Sequence, residues 1–271
     1  METGSLFTFL KTIKSNATTF KTKKIYLAWD TKLTTQANFR KTITEGTYKG
    51  NRDVARNKEV YDGMGKVLEC TRALGIKNIF PGCLEADDVI SWLSKTIEGK
   101  KVIVSVDNDF AQLVAPDISF YNPIKKVTID INNFEEHFKV TPKEYIYYKA
   151  IVGDTSDNIE GIEGFGKIKG VKLAKAFAQN NTDIINPYID KVNENLKLVD
   201  LSYGINNNSS ETDLYKQQFT ELQEVKPDFD TFKLICEELE FNSILNEIDK
   251  WKSAFGKSMN ESIVDFCKMF E

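Results

Sequence analysis

An α/β fold with a central, mostly parallel sheet is the class this sequence predicts, and three observations carry it. Lys24–Asp30 and Lys101–Asp107 are short apolar runs that each end on an acid, the pattern of buried parallel strands. Ile76–Phe80 is a third such run, and helical spacing follows it through Val89, Ile90, Leu93 and Ile97, so strands alternate with helices. The chain has 271 residues, 41% of them hydrophobic and 28% charged, which is enough apolar material for one large domain or two modest ones.

The remaining elements follow in order. Met1–Leu10 reads as a helix ahead of the first strand, and Glu85 opens the helix that runs to Ile97. Ser119–Tyr121 and Lys126–Ile129 flank Asn122-Pro123-Ile124 and predict a hairpin at the sheet margin. Phe134–Phe138 reads as a surface turn of helix. Thr141-Pro142-Lys143-Glu144 is a capping box with proline at the first helical position, launching a helix through Ile151. The texture then changes: Gly153, Gly161, Gly164, Gly166 and Gly170 interleave with Lys167, Lys169, Lys172 and Lys175. An asparagine-rich stretch follows, with a loop expected at 206–210, and amphipathic helices are expected from Phe229 onward. No internal repeat is found.

Composition excludes several chemistries. Cys70, Cys83, Cys236 and Cys267 form no CxxC pair, so neither a zinc ribbon nor a disulfide framework is signalled, and a reducing, cytoplasmic setting is expected. No apolar stretch reaches the ~18 residues of a membrane span. His137, the single histidine, rules out an HExxH zinc site and leaves any Ser-His-Asp triad resting on one surface residue.

Acids are concentrated at fixed spacing. Glu85-Ala86-Asp87-Asp88 opens a helix, Asp107-Asn108-Asp109 closes a strand, and Asp154-Thr155-Ser156-Asp157 lies in a glycine-flanked turn. Each motif alone is explained by helix-dipole or turn chemistry. Together with Asp30 they make eight carboxylates, and Asp30 and Asp107 stand at the strand ends where open α/β sheets bind ligands. Two like charges ~4 Å apart repel by ~4 kcal/mol at an effective dielectric of ~20, so such a group requires cations. Oxygen ligands without histidine or cysteine select hard ions, Mg²⁺ or Mn²⁺, and a pair of such ions suits phosphodiester hydrolysis.

Charge distribution agrees with a polyanionic substrate. Of 40 acids and 36 bases, setting aside the eight motif acids leaves 32 against 36, a remainder of +4. Arg40, Lys41, Lys49, Arg52, Arg56 and Lys58 face only Glu45 and Asp53 within residues 38–58, and the glycine-lysine stretch is a second basic segment.

Four ordered motifs resemble the structure-specific 5′ nucleases, the flap endonucleases and 5′→3′ exonucleases of phages and bacterial DNA polymerases. They are Tyr48-Lys49-Gly50-Asn51-Arg52, Glu85–Asp88, Ser105–Leu113 and Gly153–Ile159; Gly161–Gly166 is similar to the family's helix-hairpin-helix turn, and Glu194–Leu201 to the phage ribonuclease H branch. The resemblance implies a PIN-like nuclease domain over residues 1–140 with a helical arch near 40–68. It also implies a helix-hairpin-helix region over 141–200 and a helical region over 201–271. By the same resemblance Asp30, Glu85, Asp87, Asp88, Asp107, Asp109, Asp154 and Asp157 hold two Mg²⁺ or Mn²⁺ ions. Lys49 and Arg52 act as catalytic arch cations, and Tyr48 stacks on a base. Arg40, Gly164, Gly166, Lys167, Lys169 and Lys172 contact nucleic acid, and K⁺ sits at the hairpin turn. The implied activity is Mg²⁺-dependent removal of RNA primers or 5′ flaps during replication, ribonuclease H activity included, by a monomer. Branched DNA and RNA–DNA hybrids are the implied substrates, replication proteins the implied partners, and no membrane is involved.

One departure sets the alternative. The family pattern opens with a strand ending in aspartate, whereas Met1–Leu10 already reads as the helix after it. The expectation is therefore an incomplete first metal site and, as the second reading, a structure-specific DNA-binding protein with impaired cleavage.

Overall fold

The structure, a computed structural model, describes residues 3–30, 37–50, 64–223 and 225–256. Contacts group the chain into two units, each discontinuous in sequence. The first comprises Met1–Trp29, Asp53–Phe80 and Tyr215–Glu271; the second comprises Asp30–Arg52 and Pro81–Leu214. The first and last of the ranges expected from sequence thus each contribute to both units.

In the first unit, the opening helix Thr3–Thr19 buries Leu6, Leu10, Ile13 and Ala17, one stripe at helical spacing. That stripe joins a core containing Trp251 and Phe255 of the helix Ile248–Phe255 and Phe232 and Cys236 of the helix Phe229–Glu238. Burial of each large apolar side chain there contributes roughly 1.5–3 kcal/mol. Strand β1 (Tyr26–Ala28) pairs in parallel with β2 (Lys77–Ile79), as the two apolar runs predict. Burial in this core pushes the Cys70 thiol up to about 11 and the Cys236 thiol up to about 12, so both remain unreactive thiols.

The second unit holds the other sheet. β3 (Lys101–Val104) pairs in parallel with β4 (Ile118–Asn122), and β4 pairs antiparallel with β5 (Val127–Ile129), the expected marginal hairpin. Its turn is locked by Asn122 Oδ1, which accepts from the Ile124 and Lys125 amides. The expected α/β class is borne out. Hydrogen bonding nevertheless divides the described strands among sheets of two, three and two, because no described strand joins β1–β2 to β3–β4–β5.

Two helices of this unit position the acids. The helix Ala86–Thr96 buries Val89, Trp92 and Leu93. The helix Pro142–Val152 starts as its capping box predicts: Thr141 Oγ1 accepts from the Glu144 amide and Glu144 Oε2 from the Thr141 amide. It stops at Gly153, whose φ of 76° and close approach to Ile159 and Gly161 leave no room for a side chain. His137 lies exposed on the short helix Phe134–Phe138, as expected.

Candidate metal and nucleic-acid site

The acids at the start of the Ala86–Thr96 helix first satisfy its free amides. Asp30 Oδ1 accepts from the Ala86 amide at 3.1 Å and Asp88 Oδ2 from the Glu85 amide at 3.0 Å. Asp88 then departs from its expected role. Arg40, 2% exposed, donates to it through Nη1 at 2.6 Å and Nη2 at 2.8 Å, and through Nε to the Leu198 carbonyl. Burial disfavours the guanidinium charge, but Asp88 more than offsets it and raises the Arg40 pKa. Asp88, expected as a metal ligand, and Arg40, expected on nucleic acid, are thus paired with each other inside the fold. Both placements have one cause: a planar fork and a carboxylate saturate each other bidentately.

Glu85 is held by three side chains. Lys49 Nζ approaches Oε1 at 2.9 Å, while the Tyr48 hydroxyl at 3.0 Å and Arg40 Nη1 at 3.4 Å donate to Oε2. Burial alone would raise the Glu85 pKa; the Lys49 and Arg40 charges override it and lower it. The same tyrosine hydroxyl lies 3.1 Å from Asp157 Oδ2, so Tyr48 bridges acids from two motifs 72 positions apart. At 3% exposure the Tyr48 ring, expected to stack on a base, is packed inside and makes these contacts to the acids. Burial and the Glu85 charge raise its pKa and keep the phenol a donor.

Lys49 occupies left-handed backbone space at φ 52°, held by its amide bonding to the Asp157 carbonyl and by the Asn158 side-chain amide donating to the Thr47 carbonyl. The basic segment is thereby pinned onto the Asp154–Asp157 turn. Arg52 and the middle of the expected arch lie in residues 51–63, outside the described residues.

The second group of acids is gathered by a lysine that sequence reasoning missed. Lys149 Nζ lies 2.6 Å from Asp109 Oδ1 and 2.7 Å from Asp154 Oδ2. Asp154 Oδ1 also accepts from the Ser156 hydroxyl at 2.6 Å and its amide at 2.8 Å. Burial would raise the Asp154 carboxyl, yet these donors hold it down at about 2. The exposed Asp107 accepts from the Asp109 amide at 2.9 Å, which fixes the turn between them. The only hint of Lys149 in the sequence was its place one helical turn before the Gly153-Asp154 pair.

Asp87 carries the clearest electrostatic signature. Burial first, and then the Asp30, Glu85 and Asp107 charges against the attraction of Lys49, push its carboxyl up to about 7. A carboxylate whose charge is disfavoured chiefly by burial is one that a bound hard cation would stabilise. Among the described residues, no three acids are already grouped as a metal cage, because their oxygens are turned to lysine, arginine and amide donors. The all-oxygen donor set fits Mg²⁺ or Mn²⁺.

The glycine-lysine stretch forms a separate surface. Gly164 takes φ 80° in the turn, Gly166 caps the helix Lys167–Ala178, and Lys167, Lys169 and Lys172 are exposed on it. The side-chain amide of buried Asn195, on the helix Ile189–Val199, donates to the Ala150 and Glu160 carbonyls and ties that helix to the two sides of the acid turn.

Comparison with known proteins accords with this arrangement. Residues 1–139 match the family described as 5′-3′ exonuclease, N-terminal resolvase-like domain. A 5′-3′ exonuclease of Buchnera aphidicola subsp. Schizaphis graminum is 33% identical over 179 residues, 65% of this chain and 61% of that protein. DNA polymerase I of Rhizobium leguminosarum is 35% identical over 147 residues, 53% of this chain and 14% of that protein. The chain thus spans less than two thirds of the length of these relatives. Among solved structures, T5 5′-exonuclease with bound zinc superposes with a TM-score of 0.65 at 22% identity, covering 81% of this chain and 90% of that one. T5 D15 protein co-crystallized with metal ions gives 0.68 at 20%, covering 81% and 92%. These two likenesses establish the fold, a resolvase-like, PIN-type α/β domain. With its amino-terminal half matched and its acids gathered as described, the chain belongs to the 5′-3′ exonuclease family.

Proposed function

We propose that this chain is a Mg²⁺-dependent, structure-specific 5′ nuclease that removes RNA primers or 5′ flaps, with ribonuclease H activity on RNA–DNA hybrids. The observation that carries the reading is the meeting, in one unit, of Glu85 and Asp157 through Tyr48 and Lys49, with Asp109 of a third motif joined to Asp154 through Lys149. Asp30, Glu85, Asp87, Asp107, Asp109, Asp154 and Asp157 would hold the ions. Bound there, divalent ions supply Lewis-acid stabilisation of charge on phosphate oxygens and a more acidic water.

The chain's own residues supply the rest. Lys49, restrained at φ 52° by the Asp157 backbone, sits where an ammonium can pair with a phosphate oxygen as charge develops on it. Tyr48 keeps Glu85 and Asp157 in mutual register by sharing its one O–H between them. The exposed lysines of the Lys167–Ala178 helix attract the backbone of duplex DNA without reading bases.

Cleavage of 5′-flap DNA and of an RNA-primed duplex, measured across a Mg²⁺ titration, tests this reading. Both substrates should be cut, and chelation or the double change Asp107→Ala, Asp109→Ala should abolish cutting while flap binding persists. Tight binding of an uncut flap by the unaltered chain at saturating Mg²⁺ and Mn²⁺ would instead establish a DNA-binding protein with impaired cleavage.

A further inference from the structure

We propose that Lys149 is a built-in cation that occupies the place of a divalent ion between Asp109 and Asp154, and that an ion entering there must displace its ammonium. The inference rests on the metal reading above and adds a control on how many ions the site holds.

The geometry is that of a cation site already filled. One ammonium touches one oxygen from each of two motifs, Asp109 at 2.6 Å and Asp154 at 2.7 Å, and its side chain is only 14% exposed. Neither acid came to it by chance of surface mobility. Asp109 is set by its backbone N–H donating to Asp107 Oδ1, while Asp154 is fixed by Ser156 and by the Gly153 stop of the very helix that carries Lys149. Helix, turn and strand end therefore converge on the lysine. An ammonium and a hard divalent ion seek the same oxygens, and both cannot occupy them at once.

The contrast with Asp87 sets the order of filling. Asp87, in the first turn of the Ala86–Thr96 helix, has no ammonium at hydrogen-bond distance among the described contacts, so an ion near it displaces nothing from that carboxylate. An ion at Asp109 and Asp154 must first expel a charge of its own sign. Two classes of site follow, the tighter near Asp87 and the weaker at Lys149.

Calorimetric titration of Mn²⁺ into the full chain and into Lys149→Met tests this, with no substrate present. The unaltered chain should show a tight and a weak class, and Lys149→Met should tighten the weak class by about tenfold or more, the full like-charge term being discounted for solvent screening. Equal affinities and stoichiometry in the two proteins would overturn the inference and leave the metal reading standing. Absence of Mn²⁺ binding in both would remove the two together. Since Lys149→Met leaves two acids facing each other, a second measurement uses the unaltered chain. Acylation of the Lys149 amine, followed by mass spectrometry, should be slow without divalent ion and should accelerate as Mg²⁺ is added past the tight class. A rate that Mg²⁺ leaves unchanged or lowers would refute displacement.

Discussion

Asp88 and Asp154 are both acids singled out by motif, and both are held by a basic side chain from elsewhere in the chain. Their situations are otherwise opposite. Asp88 is fully buried against an equally buried Arg40 that fills both of its oxygens; Asp154 is partly exposed, shares its lysine with Asp109, and leans on hydroxyl and amide donors of its own turn. A buried bidentate pair is too costly to open for a ligand, whereas a single ammonium at a half-open turn can be exchanged. The same residue type in two acidic motifs is thus locked or exchangeable according to what its partner would lose by leaving.

The largest effect expected from this contrast is on stability. Arg40→Ala should cost about 3–5 kcal/mol, because it strands the Asp88 charge in the interior. Denaturant unfolding reads it directly, and a cost under about 1 kcal/mol, the usual worth of an exposed ion pair, would erase the distinction between the two acids.

Next in size is Lys49→Ala, which should slow single-turnover cleavage of a 5′ flap by about 10²-fold, the scale of losing one charge-stabilising donor, while changing flap affinity little. Equal losses in rate and binding would make Lys49 one phosphate contact among several.

A smaller effect, on pH dependence, separates Asp87 from Asp154. With its folded pKa raised to about 7, Asp87 contributes stability that is present below its unfolded pKa of ~3.9 and lost as pH rises through 7. Asp154, lowered to about 2, contributes stability that is present above ~3.9 and lost as pH falls toward 2. In chelator, the melting temperature should therefore fall between pH 4 and 7, and Asp87→Asn should flatten that fall. Excess Mg²⁺ should do likewise. An unchanged profile in Asp87→Asn would show that its carboxyl is not the one perturbed.

The smallest effect per residue belongs to the platform. Replacing Lys167, Lys169 and Lys172 with alanine should weaken duplex binding alike for all sequences and lower the salt slope by up to about 0.9 per lost phosphate contact. A sequence-selective loss would argue for base contacts there instead.

Much of this was legible in the linear sequence. The strand runs, the β4–β5 hairpin, the Thr141 capping box and the exposed histidine are local events, set by the alternation, turn residues and caps of a few neighbouring positions. The motif acids were legible because unusual charge density stands out against composition. Lys149 was not, since a lysine among Tyr147, Tyr148 and Ala150 looks like any polar position of a half-buried helix.

What the sequence determined alone, then, was which residues bear charge, where helices start, and where a glycine must stop one. Tertiary structure decided which charges meet. Arg40 reaches Asp88 across 48 positions, Tyr48 reaches Asp157 across 109, and the carboxy-terminal helices close the core of the opening one. Local propensity acts through neighbours bonded within a turn or two, whereas the partner of a buried charge is chosen by the whole fold, because the cost of leaving it unpaired is paid only once water has been excluded around it.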